Sequence, residues 1–166
     1  MFRIGHGFDA HRIEAGSGVT LGGVLIPCDW RIVAHSDGDV LIHALCDALL
    51  GAIGGGDIGK LFPDTDARFK GIASRLLLRE VMARVNAQGW SVVNADLTLI
   101  AQAPRVSPHA AAMKTCLAQD LRISEDAVNI KATTNEGMGH IGRGEGIAAH
   151  AVVLIERMAQ AVRSST

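Results

Sequence analysis

Three side chains of the types that bind metal ions stand at a spacing that could bring them together. Asp9 and His11 are two residues apart in a segment predicted to be a strand, so both point to the same face. His43 lies in a predicted helix, with Asp39 and Asp47 one turn away on either side. Two imidazoles and one carboxylate suit zinc, and three protein ligands leave a position for water or substrate. The carboxylates of Asp39 and Asp47 could orient the ligands.

The alternative for these residues is ordinary and stays open on spacing alone. His11 could lie at the surface near a turn, and His43 could be a hydrogen-bonded core histidine, because nothing local ties His43 to the strand. However, burying His and Asp without partners is costly, so a polar stripe on an otherwise apolar helix requires a reason.

Two further segments could bind phosphate. Directly before the helix stands His35-Ser36-Asp37-Gly38-Asp39, where Ser and Asp are favoured as caps and where a helix N-terminus attracts anions. A predicted strand ends in Thr133-Thr134-Asn135-Glu136, followed by a glycine-rich loop whose N–H groups could hold phosphate oxygens. Glu136 could ligate a harder cation such as magnesium, and Arg143 could neutralise phosphate charge. A plain helix cap and a flexible loop are the alternatives.

Two nucleotide-binding motifs are matched only superficially. Residues 5–10 fit G-x-G-x-x-A, but only four residues precede Gly5, and four glycines between positions 16 and 23 prevent a long helix afterwards. Residues 54–61 nearly fit the phosphate loop G-x-x-x-x-G-K-[ST]. The last position is Leu61, which has no hydroxyl, and the segment follows a helix rather than a strand. Neither a Rossmann domain nor a phosphate loop is predicted.

The elements that position these residues are predicted from the periodicity of the hydrophobic residues and from the positions of glycine and proline. We predict strands over residues 2–11, 19–26, 92–100, 128–133 and 147–155, and helices over 39–53, 74–88 and 107–121, with Ser74 as the cap of the second. Loops are expected over 57–70 and 135–146. This predicts an α+β fold of two layers, a mixed β-sheet with helices packed on one face. A doubly wound fold is the less favoured alternative.

Composition bounds the class of protein. The 166 residues, 48% of them hydrophobic, suffice for one core, so we expect a single catalytic domain over 1–166. A net charge of -1 without a basic patch argues against nucleic acid as a partner. Three cysteines without a C-x-x-C pair, and no basic start followed by an apolar run, favour a cytoplasmic location. The most apolar stretch, 40–53, is too short to span a membrane.

Several blocks in order resemble one family, the 2-C-methyl-D-erythritol 2,4-cyclodiphosphate synthases. The likeness covers nearly the whole chain. The blocks are Gly5-His6-Gly7-Phe8-Asp9-Ala10-His11, Ala34-His35-Ser36-Asp37-Gly38-Asp39, Asp47-Ala48-Leu49-Leu50-Gly51, Gly56-Asp57-Ile58-Gly59-Lys60-Leu61-Phe62-Pro63-Asp64-Thr65-Asp66, Ala101-Gln102-Ala103-Pro104 and Gly142-Arg143-Gly144-Glu145-Gly146.

The resemblance implies roles residue by residue. Asp9, His11 and His43 match the family's ligands for zinc or another transition divalent cation. Glu136 matches the ligand of a second cation, Mg²⁺ or Mn²⁺, held together with substrate phosphates. His35 and Thr134 match residues that stabilise the transition state. The implied substrate contacts are Asp9, His11, His35, Ser36, Asp57, Ile58, Gly59, Phe62, Pro63, Asp64, Thr65, Asp66, Ala101, Gln102, Ala103, Pro104, Arg105, Val106, Ser107, Thr133, Thr134, Asn135, Glu136, His140 and Arg143.

The family's reaction and assembly are implied in the same way. The implied reaction converts 4-diphosphocytidyl-2-C-methyl-D-erythritol 2-phosphate, a small cytidine diphosphate substrate, to a cyclic diphosphate and CMP. The implied assembly is a homotrimer with active sites between subunits. The chain departs from the family pattern at His140, Arg105, Gly137 and Met138. His140 would make a central cavity of the trimer more polar, which disfavours a prenyl ligand there.

Two other classes of function remain as alternatives to a cyclising synthase. A non-catalytic trimeric binding protein could keep the fold, although it would need neither metal site. A zinc hydrolase could use the open coordination position to activate water, and it would release inorganic phosphate or a linear product.

Overall fold

A five-stranded mixed sheet forms one layer of the computed structural model, which describes residues 1–63 and 65–158. Its strands are β1 (Phe2–Ala15), β4 (Trp30–Val33), β5 (Trp90–Ile100), β6 (Val128–Thr133) and β7 (Gly146–Arg157), and a separate hairpin consists of β2 (Val19–Leu21) and β3 (Val24–Ile26). The order in the sheet is β4-β1-β7-β5-β6, and only β5 and β6 are parallel. The mostly antiparallel pairing rules out the doubly wound alternative.

Helices form the second layer. Its long helices are α1 (Val40–Ile53), α3 (Ser74–Ala87) and α4 (Ala110–Leu121), and the one-turn helices α2 (Ile58–Leu61) and α5 (Gly139–Gly142) lie in loops. The first of these packs on β1 and β7, α3 packs on α1, and α4 packs on β6. One continuous apolar core lies between helices and sheet. The α+β prediction with a mixed sheet is therefore confirmed.

The opposite face of the sheet carries exposed apolar side chains. They include Phe2, Ile4 and Phe8 of β1, with exposed fractions of 62%, 72% and 52%, and Val152 of β7 at 43%. We call this surface the open face. His6 and His150 also lie there, with Nε2 and Nδ1 3.0 Å apart. Among residues 1–63 and 65–158, no helix is long and apolar enough to cross a membrane.

Helix α1 lies unusually close to β1 because two glycines face it. A Cβ atom on Gly5 would come within 1.8 Å of the Ala48 carbonyl oxygen, and one on Gly7 within 1.9 Å of the Ala44 oxygen. The helix begins where the Asp39 carboxylate accepts a hydrogen bond from the Ile42 N–H, and it ends at Gly54 with a left-handed φ of 71°. These contacts fix where α1 stands over the strand.

Several predicted elements require correction. The single strand over 19–26 is wrong, because Gly22 and Gly23 take φ values of 57° and 78° and turn the chain into the β2–β3 hairpin. Strand β4, which pairs with the end of β1, was not predicted. The prediction of Ser74 as a helix cap is also wrong. Residue Ala73 holds the cap position without a side-chain bond, and Ser74 begins the helix.

The remaining elements agree with the prediction apart from their ends. The third predicted helix starts with a 3-10 turn, Ser107–His109, before α4. The loop predicted over 57–70 contains α2 and a 3-10 turn, Ala67–Phe69, and the loop over 135–146 contains α5. Strand β1 runs four residues beyond its predicted end at residue 11, to Ala15.

Candidate metal centre and active-site cavities

The side chains of Asp9, His11 and His43 meet at one point between β1 and α1. The Asp9 Oδ2 atom lies 3.0 Å from His11 Nε2 and 3.0 Å from His43 Nδ1, and the two imidazole nitrogens are also 3.0 Å apart. Their side chains are 23%, 21% and 11% exposed. Within the described part of the chain, this is the one group of three or more potential ligands whose donor atoms lie within 4.8 Å of one another.

Electrostatics at this cluster favour a cation. Burial raises the pKa of the Asp9 carboxyl, but hydrogen bonds from His11 and His43 outweigh burial and hold that pKa below its ordinary range. Burial lowers the pKa of His43, but the hydrogen bond to Asp9 and its charge outweigh burial and raise that pKa. The metal-free cluster therefore stabilises a positive charge beside Asp9.

These three residues fit a divalent metal ion. Two imidazole nitrogens and one carboxylate oxygen converge from two rigid elements, and each faces the other two. This donor set suits zinc or another transition cation, and a three-ligand site leaves room for a substrate oxygen. The proximity that the sequence analysis could only suggest is present in the fold.

The predicted orienting role of Asp39 and Asp47 is wrong. The Asp39 carboxylate is fully buried and accepts from three backbone N–H groups, those of Gly22, Gly23 and Ile42. Asp47 accepts from the Ile58 N–H at 2.7 Å. Both carboxylates are used to anchor backbone, the first at the β2–β3 turn and the start of α1, the second at the start of α2. Neither bonds a side chain of the cluster.

A cavity of about 370 Å³ opens beside the cluster. Besides the three cluster residues, it is lined by the predicted contacts His35, Ser36, Ile58, Gly59 and Phe62, together with Val33, Ala34, Phe69, Ile72 and Leu77, which were not predicted. The His35 Nε2 atom is buried and finds no hydrogen-bond partner among the described residues. An unpaired buried imidazole nitrogen is costly unless a ligand completes it.

Other predicted contacts lie next to this cavity in sequence without lining it. Asp57 caps α2 by accepting from the Lys60 N–H at 2.8 Å. The Arg68 guanidinium lowers the pKa of Asp66 to about 2 by hydrogen bonding to its carboxylate. Pro63 and Thr65 stand between these two, and the predicted contact Asp64 lies outside the described residues.

A second cavity, of about 470 Å³, lies at the other edge of the sheet. It collects most of the remaining predicted contacts, namely Ala101, Gln102, Pro104, Arg105, Val106, Ser107, Thr133 and Thr134, along with Ala110, Ile130, Lys131 and Ala132, which were not predicted. Ala103 stands within the same segment. The Thr134 hydroxyl lies 3.4 Å from a Glu136 carboxylate oxygen, and the Asn135 amide bonds the Met138 carbonyl. The two cavities share no lining residue.

Sheet register relates the strand of the metal cluster to the strand that lines the second cavity. Asp9 pairs with Ala149, Ala149 with Leu99, and Leu99 with Ala132, so the row crosses from β1 to β6. Three strand spacings separate the ends of that row, which is about 14 Å. Among the described residues, Glu136 is not part of the group formed by Asp9, His11 and His43, and Thr134 lines the second cavity rather than the first.

The last two predicted contacts lie on and beside α5. His140 lines a third cavity, of about 210 Å³, together with His11, Arg12 and Glu145. The Arg143 Nε atom donates to the Glu145 carboxylate at 2.6 Å. That ion pair is exposed, so the Arg143 charge stays available to an anion.

The fold and the cluster define a small α+β enzyme with a candidate divalent-metal centre beside a cavity. A model of the YgbB family matches residues 2–156, and the chain belongs to that family. A protein of Methylococcus capsulatus named 2-C-methyl-D-erythritol 2,4-cyclodiphosphate synthase is 62% identical over 157 residues, which cover 95% of this chain and 99% of that protein.

Solved structures give the same result. The bifunctional IspDF from Campylobacter jejuni superposes with a TM-score of 0.91 at 41% identity, over 95% of this chain and 43% of that one. The present chain thus spans less than half of the bifunctional protein. A CDP complex of IspF from Plasmodium falciparum superposes with a TM-score of 0.84 at 32% identity, over 95% of this chain and 97% of that one.

Proposed function

We propose that this chain is a 2-C-methyl-D-erythritol 2,4-cyclodiphosphate synthase. It converts 4-diphosphocytidyl-2-C-methyl-D-erythritol 2-phosphate to the cyclic diphosphate and CMP. The observation that carries the proposal is the Asp9–His11–His43 cluster beside a cavity, in a chain 62% identical to a protein of that name. A hydrolase or a binding protein would not explain this combination as well.

The reaction is an intramolecular phosphoryl transfer. An oxygen of the 2-phosphate forms a bond to the β-phosphorus, the bond from that phosphorus to the bridging oxygen breaks, and CMP leaves with the electron pair. Because the attacking phosphate is already an anion, the protein needs no base to activate it. Catalysis is then positioning of the two phosphates and stabilisation of the charge that spreads over their oxygens.

Residues of the chain divide this work. Asp9, His11 and His43 would hold zinc or a similar cation, and Glu136 would hold Mg²⁺ or Mn²⁺ near the substrate phosphates. When bound, these cations neutralise phosphate charge. The unpartnered His35 nitrogen supports a hydrogen bond from that residue to a phosphate oxygen. The Thr134 hydroxyl, next to Glu136, would donate to an oxygen of the substrate diphosphate as CMP leaves.

The two cavities take the two ends of the substrate. The first, with Ile58, Gly59 and Phe62, holds the methylerythritol part beside the metal cluster. The second is lined by the segment 101–107 and the end of β6, and it holds cytidine. The CDP complex of the Plasmodium falciparum relative supports a cytidine nucleotide as ligand.

The assembly we propose is a homotrimer whose active sites lie between adjacent chains. The separation of about 14 Å across one sheet leaves each chain with two incomplete parts of a site, because a single diphosphate cannot bridge them. A neighbouring chain can supply the missing part. The exposed apolar side chains Phe2, Ile4, Phe8 and Val152 of the open face support burial of that surface between copies.

Phosphorus NMR tests the function. The purified protein is incubated with the substrate and magnesium, before and after treatment with a chelator that removes zinc. We expect CMP and a cyclic diphosphate, lost on chelation and restored by zinc, and we expect neither from His43→Ala. Inorganic phosphate or a linear product would establish a hydrolase instead. Unchanged substrate with a folded, metal-loaded protein would refute the enzyme.

Mixing two inactive variants tests the shared site. His43→Ala and Glu136→Ala each inactivate one part of the site. When equal amounts of the two variants are refolded together, the chains mix at random in the ring. About one quarter of the sites then contain an intact His43 from one chain and an intact Glu136 from its neighbour. About one quarter of the wild-type activity should return. A mixed sample as inactive as its components would refute active sites between chains.

A further inference from the structure

Both ring nitrogens of His43 have partners, and the two sides of the ring differ in kind. Nδ1 faces the cluster, 3.0 Å from Asp9 Oδ2. Nε2 faces away from it, 2.9 Å from Ser74 Oγ and 3.1 Å from Ser36 Oγ. A neutral imidazole carries one proton, so only one of these nitrogens can offer a lone pair to a metal ion. The hydrogen-bond network on the Nε2 side decides which one.

Ser74 is fixed by a carboxylate. It is fully buried at the first position of α3. Its backbone N–H donates to Asp37 Oδ2 at 3.0 Å, and its hydroxyl makes a short hydrogen bond to Asp37 Oδ1. Asp37 thereby caps α3 from outside the helix, because Ala73 at the cap position has no side chain that could do so. Ser74 is thus held in one orientation.

The direction of these bonds follows from the number of protons. A carboxylate can only accept, so the single proton of the Ser74 hydroxyl is given to Asp37. The Ser74 oxygen is then left as an acceptor toward His43, and Nε2 must be the nitrogen that carries the proton. Nδ1, which points to Asp9 and His11, is consequently the nitrogen that gives up its proton and offers a lone pair when a cation binds.

We infer that Asp37 and Ser74 are positioning residues for the metal centre, and that they act through His43 by fixing its tautomer and its ring orientation. The inference rests on the proposed function only in that the cluster binds a metal ion. Groups that hold the second nitrogen of a histidine ligand in this way typically contribute 10–100-fold to metal affinity. Asp37 and Ser74 do not themselves touch the metal position.

Ser36 provides a comparison on the same nitrogen. Its hydroxyl oxygen also lies near Nε2 but accepts from the Gly38 N–H at 3.2 Å, and no carboxylate among the described residues bonds to it to fix its proton. Removing this hydroxyl leaves the Asp37–Ser74–His43 chain intact. Ser36→Ala is therefore expected to weaken metal binding much less than Ser74→Ala.

The experiment measures Co²⁺ and Zn²⁺ affinity of chelator-stripped protein by competition with a chromophoric chelator. Ser74→Ala should lose roughly 10–100-fold in affinity. Asp37→Asn should lose a similar amount, because the Asn amide can donate to Ser74 and release the hydroxyl proton toward His43. In the zinc-loaded proteins, ¹⁵N shifts of the His43 ring should show the proton on Nε2 in wild type, and a changed Nε2–H shift in Ser74→Ala and Asp37→Asn.

Loss of stability alone must be separated from loss of positioning. Asp120→Asn is the matched control, since Asp120 binds Arg75 on α3 without contacting His43. It should lower the melting temperature while leaving metal affinity unchanged. If wild type binds metal and Ser74→Ala and Asp37→Asn bind it as tightly, with an unchanged Nε2–H shift of His43, the inference fails. If wild type itself binds no metal ion, the proposed metal centre fails instead.

Discussion

Replacing Gly7 with alanine should disturb the metal centre through the backbone, without touching any metal ligand. A Cβ atom there would lie 1.9 Å from the Ala44 carbonyl oxygen and 2.7 Å from the Ala48 nitrogen. Ordinary contact begins at 3.4 Å. Strand β1 and helix α1 must therefore separate by about 1.5 Å, because close-packed backbone atoms cannot interpenetrate.

That separation acts directly on the cluster. Asp9 and His11 follow Gly7 on β1, and His43 immediately precedes Ala44 on α1, so both sides of the cluster are carried by the displaced elements. The three donor atoms are now 3.0 Å apart. A misplacement of about 1 Å lowers catalytic rates by roughly 100-fold, and we expect a loss of zinc affinity of about that size in Gly7→Ala. Overpacking should also cost about 1–3 kcal/mol of stability.

The assay is zinc competition against a chromophoric chelator, combined with urea denaturation of the metal-free protein. Gly51→Ala is the matched control, because a Cβ at this position in α1 meets nothing within 4 Å. The control should keep wild-type zinc affinity and gain about 0.5–1 kcal/mol from the helical Gly-to-Ala change. A folded Gly7→Ala protein with wild-type zinc affinity would refute the reasoning.

Three further predictions follow from single contacts. Asp9→Asn should lower the pKa of His43 in the metal-free protein, because the bond and charge that raise it are removed while burial remains; an NMR titration giving an unchanged pKa would contradict this. Zinc affinity should fall as pH falls, by about tenfold per pH unit once the His43 proton competes, starting above the ordinary pKa of 6.5 because Asp9 raises that pKa. Calorimetry at several pH values measures this, and a flat profile would refute it. Asp120→Asn should cost about 2 kcal/mol of unfolding free energy, since a buried carboxylate loses charged bonds to Arg75 and Arg79. In urea denaturation, Glu80→Gln at an exposed pair should cost less than about 0.5 kcal/mol, and equal losses in the two variants would count against the argument.

Local geometry explains which parts of the site could be predicted. The Asp9-x-His11 spacing places two donors on one face of a strand, since side-chain alternation is a property of two neighbouring residues. The α1 helix and its Asp39 cap were also predictable, because helical periodicity and capping depend on residues close together in sequence, and both are present. The approach of His43 to the strand depends on tertiary packing, so the residue types only suggested it and the family resemblance implied it.

The wrong predictions concern side chains with more than one available partner. Ser74 has the residue type of a helix cap, but a buried carboxylate from another segment competes for its hydroxyl. Asp39 and Asp47 lie one turn from His43, but free backbone N–H groups bind them instead. The Gly22-Gly23 pair is a strong hairpin signal that was available in the sequence, and strand β4 is too short to carry a pattern.

The two glycines of β1 explain both the packing of α1 on the strand and the geometry of the metal cluster. Gly5 and Gly7 have low strand propensity and form part of the apparent dinucleotide motif in the sequence. In the fold they face α1, where any side chain would strike the backbone of Ala44 or Ala48. They alternate with outward-facing residues, and β1 pairs with β7 along this stretch. Because they have no side chains, α1 can pack closely against the strand. Only that close approach allows a histidine on a helix to share a metal position with two residues on a strand.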